Sequence, residues 1–493
     1  MDGQQGMKLG DAYLLELPQD ISAPNYDRAA LKPGIVHIGL GNFHRAHQAW
    51  YLHRLMQAGV AKEWAIIGAG VRPNDAVMRD KLLSQDCLTT LIELDPNGTS
   101  AEVIGSMIDF VPVELDNASL IRTMSEPAIR IVSLTVTEGG YYQDPVSGAF
   151  DATHEDIQHD VANPARPRTA FGAIVAALGA RRAAGNGPFT MQSCDNLLGN
   201  GAILRATVCG TARLIDPDLA DWIEAEASFP NSMVDCIVPA TGEKEYSLAK
   251  SLGINDVAPV THENFRQWVI EDDFCAGRPD WDKVGATFTR DVHAFEMMKL
   301  RLLNAGHQML ANIGEVLSVE TISGCMEHKH IAGLFERVLK TEVAPLVVPV
   351  PGMPAETYID LISGRFANPK IFDTTRRVAF DGSSRHTGFV VPTIREAVAA
   401  NTPVEGLALV EALWARMCAG TREDGSVIAP NDPFWDDLHK VALAAKDDPA
   451  AWLGQTHLYG DLAEDETFRK AFCTWLTKLW TVGAVATVDA YLA

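Results

Sequence analysis

Residues 296–307 read Glu-Met-Met-Lys-Leu-Arg-Leu-Leu-Asn-Ala-Gly-His. They place a carboxylate, an amine, an amide and an imidazole within one apolar, helix-like stretch. A lysine that loses its proton can act as a general base on a hydroxyl. An asparagine N–H can stabilise the oxygen that gains negative charge, an imidazole can orient the hydroxyl-bearing molecule, and a carboxylate can pass the proton on. On an α-helix turning ~100° per residue, with Lys299 at ~0°, Glu296 falls at ~60°, His307 at ~80° and Asn304 at ~140°. The four groups therefore share one side of the helix. A solvated polar face would show the same pattern, so the rest of the chain has to decide. Two physical conditions also have to be met. Free lysine, with a pKa of ~10.4, is a poor base near neutral pH unless burial or a neighbouring positive charge disfavours its ammonium form. Lys299 and His307 also lie ~12 Å apart along a straight α-helix, so they reach one small molecule only if it lies along the helix or if Gly306 bends it.

Elements able to position such a set are legible upstream. Gly34-Ile-Val-His-Ile-Gly-Leu-Gly-Asn-Phe-His-Arg-Ala-His47 passes from an apolar strand-like run to helical periodicity, with Gly39 and Gly41 at the junction. A G-x-G between strand and helix permits a tight turn and close approach of a pyrophosphate at a helix N-terminus. The third glycine of the usual fingerprint is replaced by His44, and a glycine-rich loop without a nucleotide remains the alternative. A further strand, Trp64–Val71, leads to Arg72, Asn74 and Asp75. Asp75 is the candidate for the ribose hydroxyls, although it lies further from the glycine loop than the usual ~20 residues; Arg72 would instead favour a 2′-phosphate. The expected cofactor contacts are Gly39, Gly41, Asn42, Phe43, Asp75 and Glu138, and the expected cofactor is NAD, with NADP possible.

Two later strands end in polar clusters, Arg130–Val136 before Thr137-Glu138-Gly139-Gly140, and Phe189–Ser193 before Cys194-Asp195-Asn196. Helical stretches near 171–184 and 201–226 lie between or after them, an alternation that favours a parallel sheet with helices on its faces. After about residue 290 strand signals thin out and helical periodicity dominates. The expected architecture is α/β: a Rossmann-type dinucleotide-binding N-terminal domain over 1–289 and a mostly α-helical C-terminal domain over 290–493. His44 and His47 form an H-x2-H pair, but no further ligands are signalled, so packing or hydrogen bonding is expected and no metal. Tyr246-Ser-Leu-Ala-Lys250 matches the loose Y-x3-K spacing of another dehydrogenase class and is read as a surface helix.

Composition narrows the functions. The chain has 493 residues, 47% of them hydrophobic and 21% charged, and a formal net charge of −23. That balance argues against nucleic acid and against an anionic membrane surface as partners. Eight scattered cysteines without a C-x2-C pair point to neither a disulfide framework nor a cysteine-based zinc site. The first residues carry no apolar signal-peptide core, and no run approaches the ~18 apolar residues that span a bilayer. A cytoplasmic protein is expected.

Taken together, Gly39–Gln48, Ser133–Gly140, Ser193–Asn196, Phe229-Pro230, Gln267–Glu271, Gly277–Pro279, Glu296–His307 and Asp381–Ser384 resemble the polyol-specific long-chain dehydrogenases, the mannitol 2-dehydrogenase and fructuronate reductase group. The resemblance spans most of the chain. It implies a metal-independent, NAD(P)-dependent oxidation of a sugar alcohol to a ketose, with a site in the cleft between two domains. D-mannitol and D-fructose are the first-choice pair; D-fructuronate/D-mannonate and D-arabinitol or sorbitol are the alternatives. It implies Lys299 as general base, Asn196 and Asn304 as oxyanion donors, His307 as the orienting residue and Glu296 on the proton path. Asp235, Arg377 and Arg385 would contact substrate. Arg385 stands where some members carry lysine, and Cys236 where arginine is frequent, which leaves the substrate open. The family contains monomers, and a monomer is expected.

Overall fold

The computed structural model describes residues 7–144 and 147–493. The chain divides into two compact units, Met1–His293 and Ala294–Ala493.

The first unit is built on five parallel strands in the spatial order Met107–Phe110, Ala65–Ala69, Pro33–Ile38, Ile131–Leu134, Thr190–Ser193. Residues 35–38 and 131–134 are fully buried, which fits a sheet covered on both faces and explains why these strands read as apolar runs. The chain starts in the middle, winds to one edge, then returns to the other side of Pro33–Ile38. Such a reversal opens a crevice at the carboxyl ends of Pro33–Ile38 and Ile131–Leu134, where open α/β sheets bind ligands. The expected Rossmann-type fold is present.

Local chemistry sets the helix boundaries. Thr169 caps Ala170–Ala183 by accepting from the Gly172 N–H. The stretch at 201–226 is two helices, because Asp216 caps Pro217–Glu226 by accepting from Asp218 and Leu219, and proline suits a helix start better than a helix interior. The helix after the glycine turn is also shorter than its periodicity implies. Asn42–Ala46 stops where His47 leaves helical geometry (φ −120, ψ −97), and Gln48–Gln57 follows.

Additional strands decorate this frame. Thr89–Asp95 and Gly98–Ile104 pair antiparallel around a two-residue Pro96-Asn97 turn, and Val260–Glu263 joins them in parallel. Gln267–Glu271 pairs antiparallel with Ser232–Asp235 and parallel with Thr287–Thr289.

The other unit is helical. Glu405–Cys418 is buried at every position from Gly406 to Cys418, as expected of a helix surrounded by others. Glu466–Leu492 packs along it. In contrast to the sequence-based expectation, this last helix is long and apolar enough to cross a membrane by length and composition. It is interrupted at Gly483 (φ 84, ψ 170) and buries Phe468, Phe472, Leu476, Leu479 and Val488 in the protein. A buried core helix passes the same length and composition test.

Candidate active site

The glycine turn is shaped by its neighbours. Gly39 has φ 89, and a Cβ there would lie 2.2 Å from the Thr135 carbonyl oxygen, so only glycine fits. The Thr135 hydroxyl donates to the Gly39 carbonyl at 2.6 Å and lies 2.9 Å from His37 Nε2. His37 Nδ1 lies 2.8 Å from Ser133 Oγ. Burial lowers the His37 pKa to about 3, so the ring is neutral at physiological pH. At Gly41 a Cβ would meet nothing within 4 Å. The two glycines thus differ: Gly39 is required by the protein's own backbone, whereas Gly41 borders open space.

That space is a cavity lined by Gly39, Gly41, Arg72, Asp75, Thr137 and Phe171, among others. Asp75 begins the helix Asp75–Leu83, and its carboxylate accepts from the Arg72 N–H at 2.9 Å. Gly70 makes room for it, since a Cβ there would lie 2.3 Å from Asp75 Cβ. Three of the expected cofactor residues are therefore gathered in one cavity. The side chains of Asn42 and Phe43 are engaged elsewhere. The Asn42 amide donates to Pro239 O (3.1 Å) and Thr241 Oγ1 (2.9 Å), and Phe43 stacks on His47 at 4.8 Å. Both side chains remain partly exposed, and a helix of five residues brings only a short dipole to a phosphate. Glu138 opens the turn Glu138–Tyr141, but its side chain lies outside the described residues.

Opposite the glycine turn, Asp195 organises the strand ends. Its carboxylate accepts from the Val136 N–H (3.0 Å), the Thr137 N–H (2.9 Å) and the Tyr141 hydroxyl (2.6 Å). Burial and the Asp195 charge raise the Tyr141 pKa well above its ordinary value, so this hydroxyl stays a donor. Thr137 has φ 69, a conformation that this anchoring holds in place. Sequence reasoning gives Asp195 no individual role; its position directly after a buried strand is the signal that could have marked it. Its neighbour Asn196 is exposed, whereas Asp235 is buried at the end of Ser232–Asp235.

His44 and His47 are core residues. His44 stacks on His37 at 3.4 Å, and burial, then the neighbouring His37 and His47, hold its pKa well below the usual value. Tyr246 and Lys250 sit on Glu243–Ser251, where the Tyr246 hydroxyl accepts from Lys81 at 3.2 Å.

In the helical unit, the Lys299 segment departs from a regular α-helix. An α-helix, His293–Met298, gives way to a π-helix, Lys299–Asn304, followed by the α-helix Ala305–Val316. In a π-turn residues five apart are bonded, so each step is roughly 80° and Asn304 returns to within roughly 40° of Lys299 instead of ~140°. Continuing in α geometry, His307 falls roughly 20° to the other side of Lys299, with Glu296 still at ~60°. The four groups gather into an arc of roughly 80°, which narrows the spread expected from a straight helix. Gly306 lies within the continuous α-helix Ala305–Val316. It admits Phe335, whose ring would lie 2.7 Å from a Cβ there. Lys299 and Glu296 are buried, at 7% and 6% exposure, which excludes a solvated face. Asn304 and His307 are half-buried, and the His307 ring stacks on Phe366 at 4.1 Å.

Arg377 and Arg385 come together. Arg377 is held by Asp373 through two parallel bonds, at 2.7 and 2.5 Å. Arg385 is half-buried and donates to the Val378 carbonyl at 2.8 Å. Burial, then the Arg377 charge, lowers its pKa from the usual arginine value. Among the described residues, no group of three or more His, Cys, Asp or Glu side chains is arranged to hold a metal ion.

Comparison with known proteins identifies the family. Residues 33–283 match the family described as the mannitol dehydrogenase Rossmann domain, and residues 291–480 match the mannitol dehydrogenase C-terminal domain. The chain is 54% identical to a mannitol 2-dehydrogenase of Cereibacter sphaeroides, across 97% of this chain and 100% of the relative. It is 40% identical to a mannitol 2-dehydrogenase of Pyricularia oryzae, across 98% and 99%. Among solved structures, the Pseudomonas fluorescens mannitol 2-dehydrogenase in ternary complex with NAD and D-mannitol superposes with a TM-score of 0.84 at 39% identity, covering 99% of both chains. A D-sorbitol dehydrogenase in substrate-free form superposes with a TM-score of 0.93 at 35% identity, covering 98% of this chain and 100% of the other. The chain belongs to the mannitol dehydrogenase family.

Proposed function

We propose that this protein is an NAD-dependent polyol dehydrogenase that oxidises a secondary hydroxyl of an open-chain sugar alcohol to a ketose, with D-mannitol and D-fructose as its pair. The observation that carries this reading is the π-turn Lys299–Asn304, which brings a buried amine and an amide onto one face with Glu296 beside them. Residues 1–289 are assigned to the cofactor and 290–493 to substrate and catalysis. The cavity beside Gly41 suits a dinucleotide: Gly41 presents no side chain to it, and Asp75 is at hand for ribose hydroxyls. Arg72 lines the same cavity and is the feature that would admit NADP. The nicotinamide ring of the bound cofactor supplies the hydride acceptor.

The chain's own residues supply the remaining chemistry. Lys299 Nζ, on a side chain that is 7% exposed, removes the hydroxyl proton. Glu296 passes that proton on. The N–H groups of Asn304 and Asn196 donate to the substrate oxygen as it becomes negative; one such donor typically contributes ~2.7–4 kcal/mol to the transition state. In the reverse direction the ammonium form of Lys299 returns the proton to the carbonyl oxygen. His307, fixed by stacking on Phe366, orients the chain of hydroxyls, and Asp235, Arg377 and Arg385 bind it further along. The reading includes a monomer acting in the cytoplasm, with no nucleic-acid or membrane partner.

The test is initial-rate kinetics with mannitol, sorbitol, arabinitol, fructose and fructuronate, each with NAD(H) and NADP(H). The highest kcat/KM is expected for mannitol and fructose with NAD(H). A preference for fructuronate would move the enzyme to uronate reduction. The likeness to a D-sorbitol dehydrogenase makes sorbitol the runner-up substrate, and a higher kcat/KM for sorbitol would establish it.

A further inference from the structure

The buried polar groups behind the Ala305–Val316 helix have no part in the chemistry above. Gln308 and Asn312 are four residues apart, so one face of that helix presents both amides. Gln308 Nε2 donates to the Val378 carbonyl at 2.9 Å, the same carbonyl that accepts from Arg385. Asn312 Nδ2 lies 2.8 Å from His386 Nε2. Arg385 and Gln308 thus share one acceptor, and His386 bonds Asn312 one turn further along the helix that carries His307.

On its other side, His386 Nδ1 donates to Glu411 Oε1 at 2.6 Å. Glu411 Oε2 accepts from the Tyr459 hydroxyl at 2.6 Å, and Tyr459 accepts from Trp452 Nε1 at 2.7 Å. The imidazole also stacks on Trp414 at 4.2 Å and 11°. His386, Glu411 and Tyr459 have no exposed surface. An apolar core would serve stability as well as such a network does; what the network adds is a fixed geometry among groups from separate segments.

We propose that His386 is a positioning residue. By anchoring the backbone at 385–386 to Asn312 on one side and Glu411 on the other, it sets the direction in which the Arg385 guanidinium meets the substrate hydroxyls. This rests on the polyol reading, in which Arg385 contacts substrate.

The test uses His386→Phe, which keeps a ring to stack on Trp414 and removes both hydrogen bonds. The KM for the polyol should rise about tenfold, as expected for loosening one charge-assisted contact, while the Kd for NAD stays at the wild-type value. In an Arg385→Ala background the same substitution should add no further rise, because its effect passes through Arg385. Asn312→Leu removes the amide bonded to His386 Nε2 without touching Glu411. It should raise KM in the same direction, which keeps the idea testable if His386→Phe folds poorly. Wild-type KM values in both variants, or a full additional rise in the Arg385→Ala background, would overturn the positioning role. An unchanged KM in Arg385→Ala alone would instead remove the substrate contact assigned above.

Discussion

Replacing Gly39 and Gly41 by alanine, one at a time, separates a glycine the fold needs from a glycine the ligand needs. At Gly39 the backbone is left-handed and the added Cβ would sit 2.2 Å from the Thr135 carbonyl oxygen. The left-handed conformation costs a non-glycine residue about 1–2 kcal/mol, and forcing the backbone apart adds about 1–3 kcal/mol. Together these predict roughly 2–5 kcal/mol of destabilisation, or a fall in Tm of roughly 5–15 °C for a unit of this size. At Gly41 the backbone is extended (φ −101) and a Cβ meets no protein atom within 4 Å. Gly41→Ala should therefore change Tm very little, with a stability effect within about 0.5 kcal/mol. Its methyl group would, however, enter the space assigned to the pyrophosphate, and the Kd for NAD should rise at least tenfold, equivalent to ~1.4 kcal/mol. Thermal unfolding reads the effect at Gly39; NAD titration followed by tryptophan fluorescence reads the effect at Gly41. Gly41→Ala binding NAD with wild-type affinity would refute the placing of the cofactor at this turn. Gly39→Ala with an unchanged Tm would refute the strain argument.

Lys299→Ala should lower kcat by roughly 10²–10⁴-fold, the usual contribution of a positioned acid or base. NAD binding should be retained, because Lys299 is assigned to the proton and not to the cofactor; near wild-type turnover would remove the general base. A pH dependence of stability also follows from the first unit. Burial lowers the pKa of His37, His53 and His262 from 6.5 to about 3 each. The unfolded chain then binds more protons than the folded one between these values, so the stabilisation is complete above pH 6.5 and is lost as pH falls toward 3. Each histidine contributes a slope of up to ~1.4 kcal/mol per pH unit. A Tm that stays flat or rises between pH 7 and pH 5 would contradict this, and His37→Gln should make the slope shallower.

Some of the fold is legible because its cause is local. The strand–turn–helix around Gly39 and Gly41 follows from an apolar run, two glycines and a change of period within about twenty residues. The antiparallel pair Thr89–Asp95 and Gly98–Ile104 is absent from the sequence-based expectations although Asp95-Pro-Asn-Gly98 is a turn signal; its two strands are a local feature that the residues do carry. The halt of the first helix at His47 is less accessible. His47 packs against Phe43, Tyr51 and Trp268, and the last of these comes from a strand more than two hundred residues away.

By itself, the sequence determined which chemical groups are available and in what order: Lys299, Asn304 and His307 on one helical stretch, the glycine turn, and Asn196 after a strand. Only the tertiary structure decided how Lys299, Asn304 and His307 face one another on their helix. The π-turn that swings Asn304 beside Lys299 is a small departure from α geometry, and helix propensity barely distinguishes the two. The burial that takes Lys299 out of water is likewise a property of the surrounding helices. The ties from Gln308 to Val378 and from Asn312 to His386 join residues some seventy positions apart. Interactions at that separation leave no period in the sequence, because each partner's local pattern is already satisfied by its own helix.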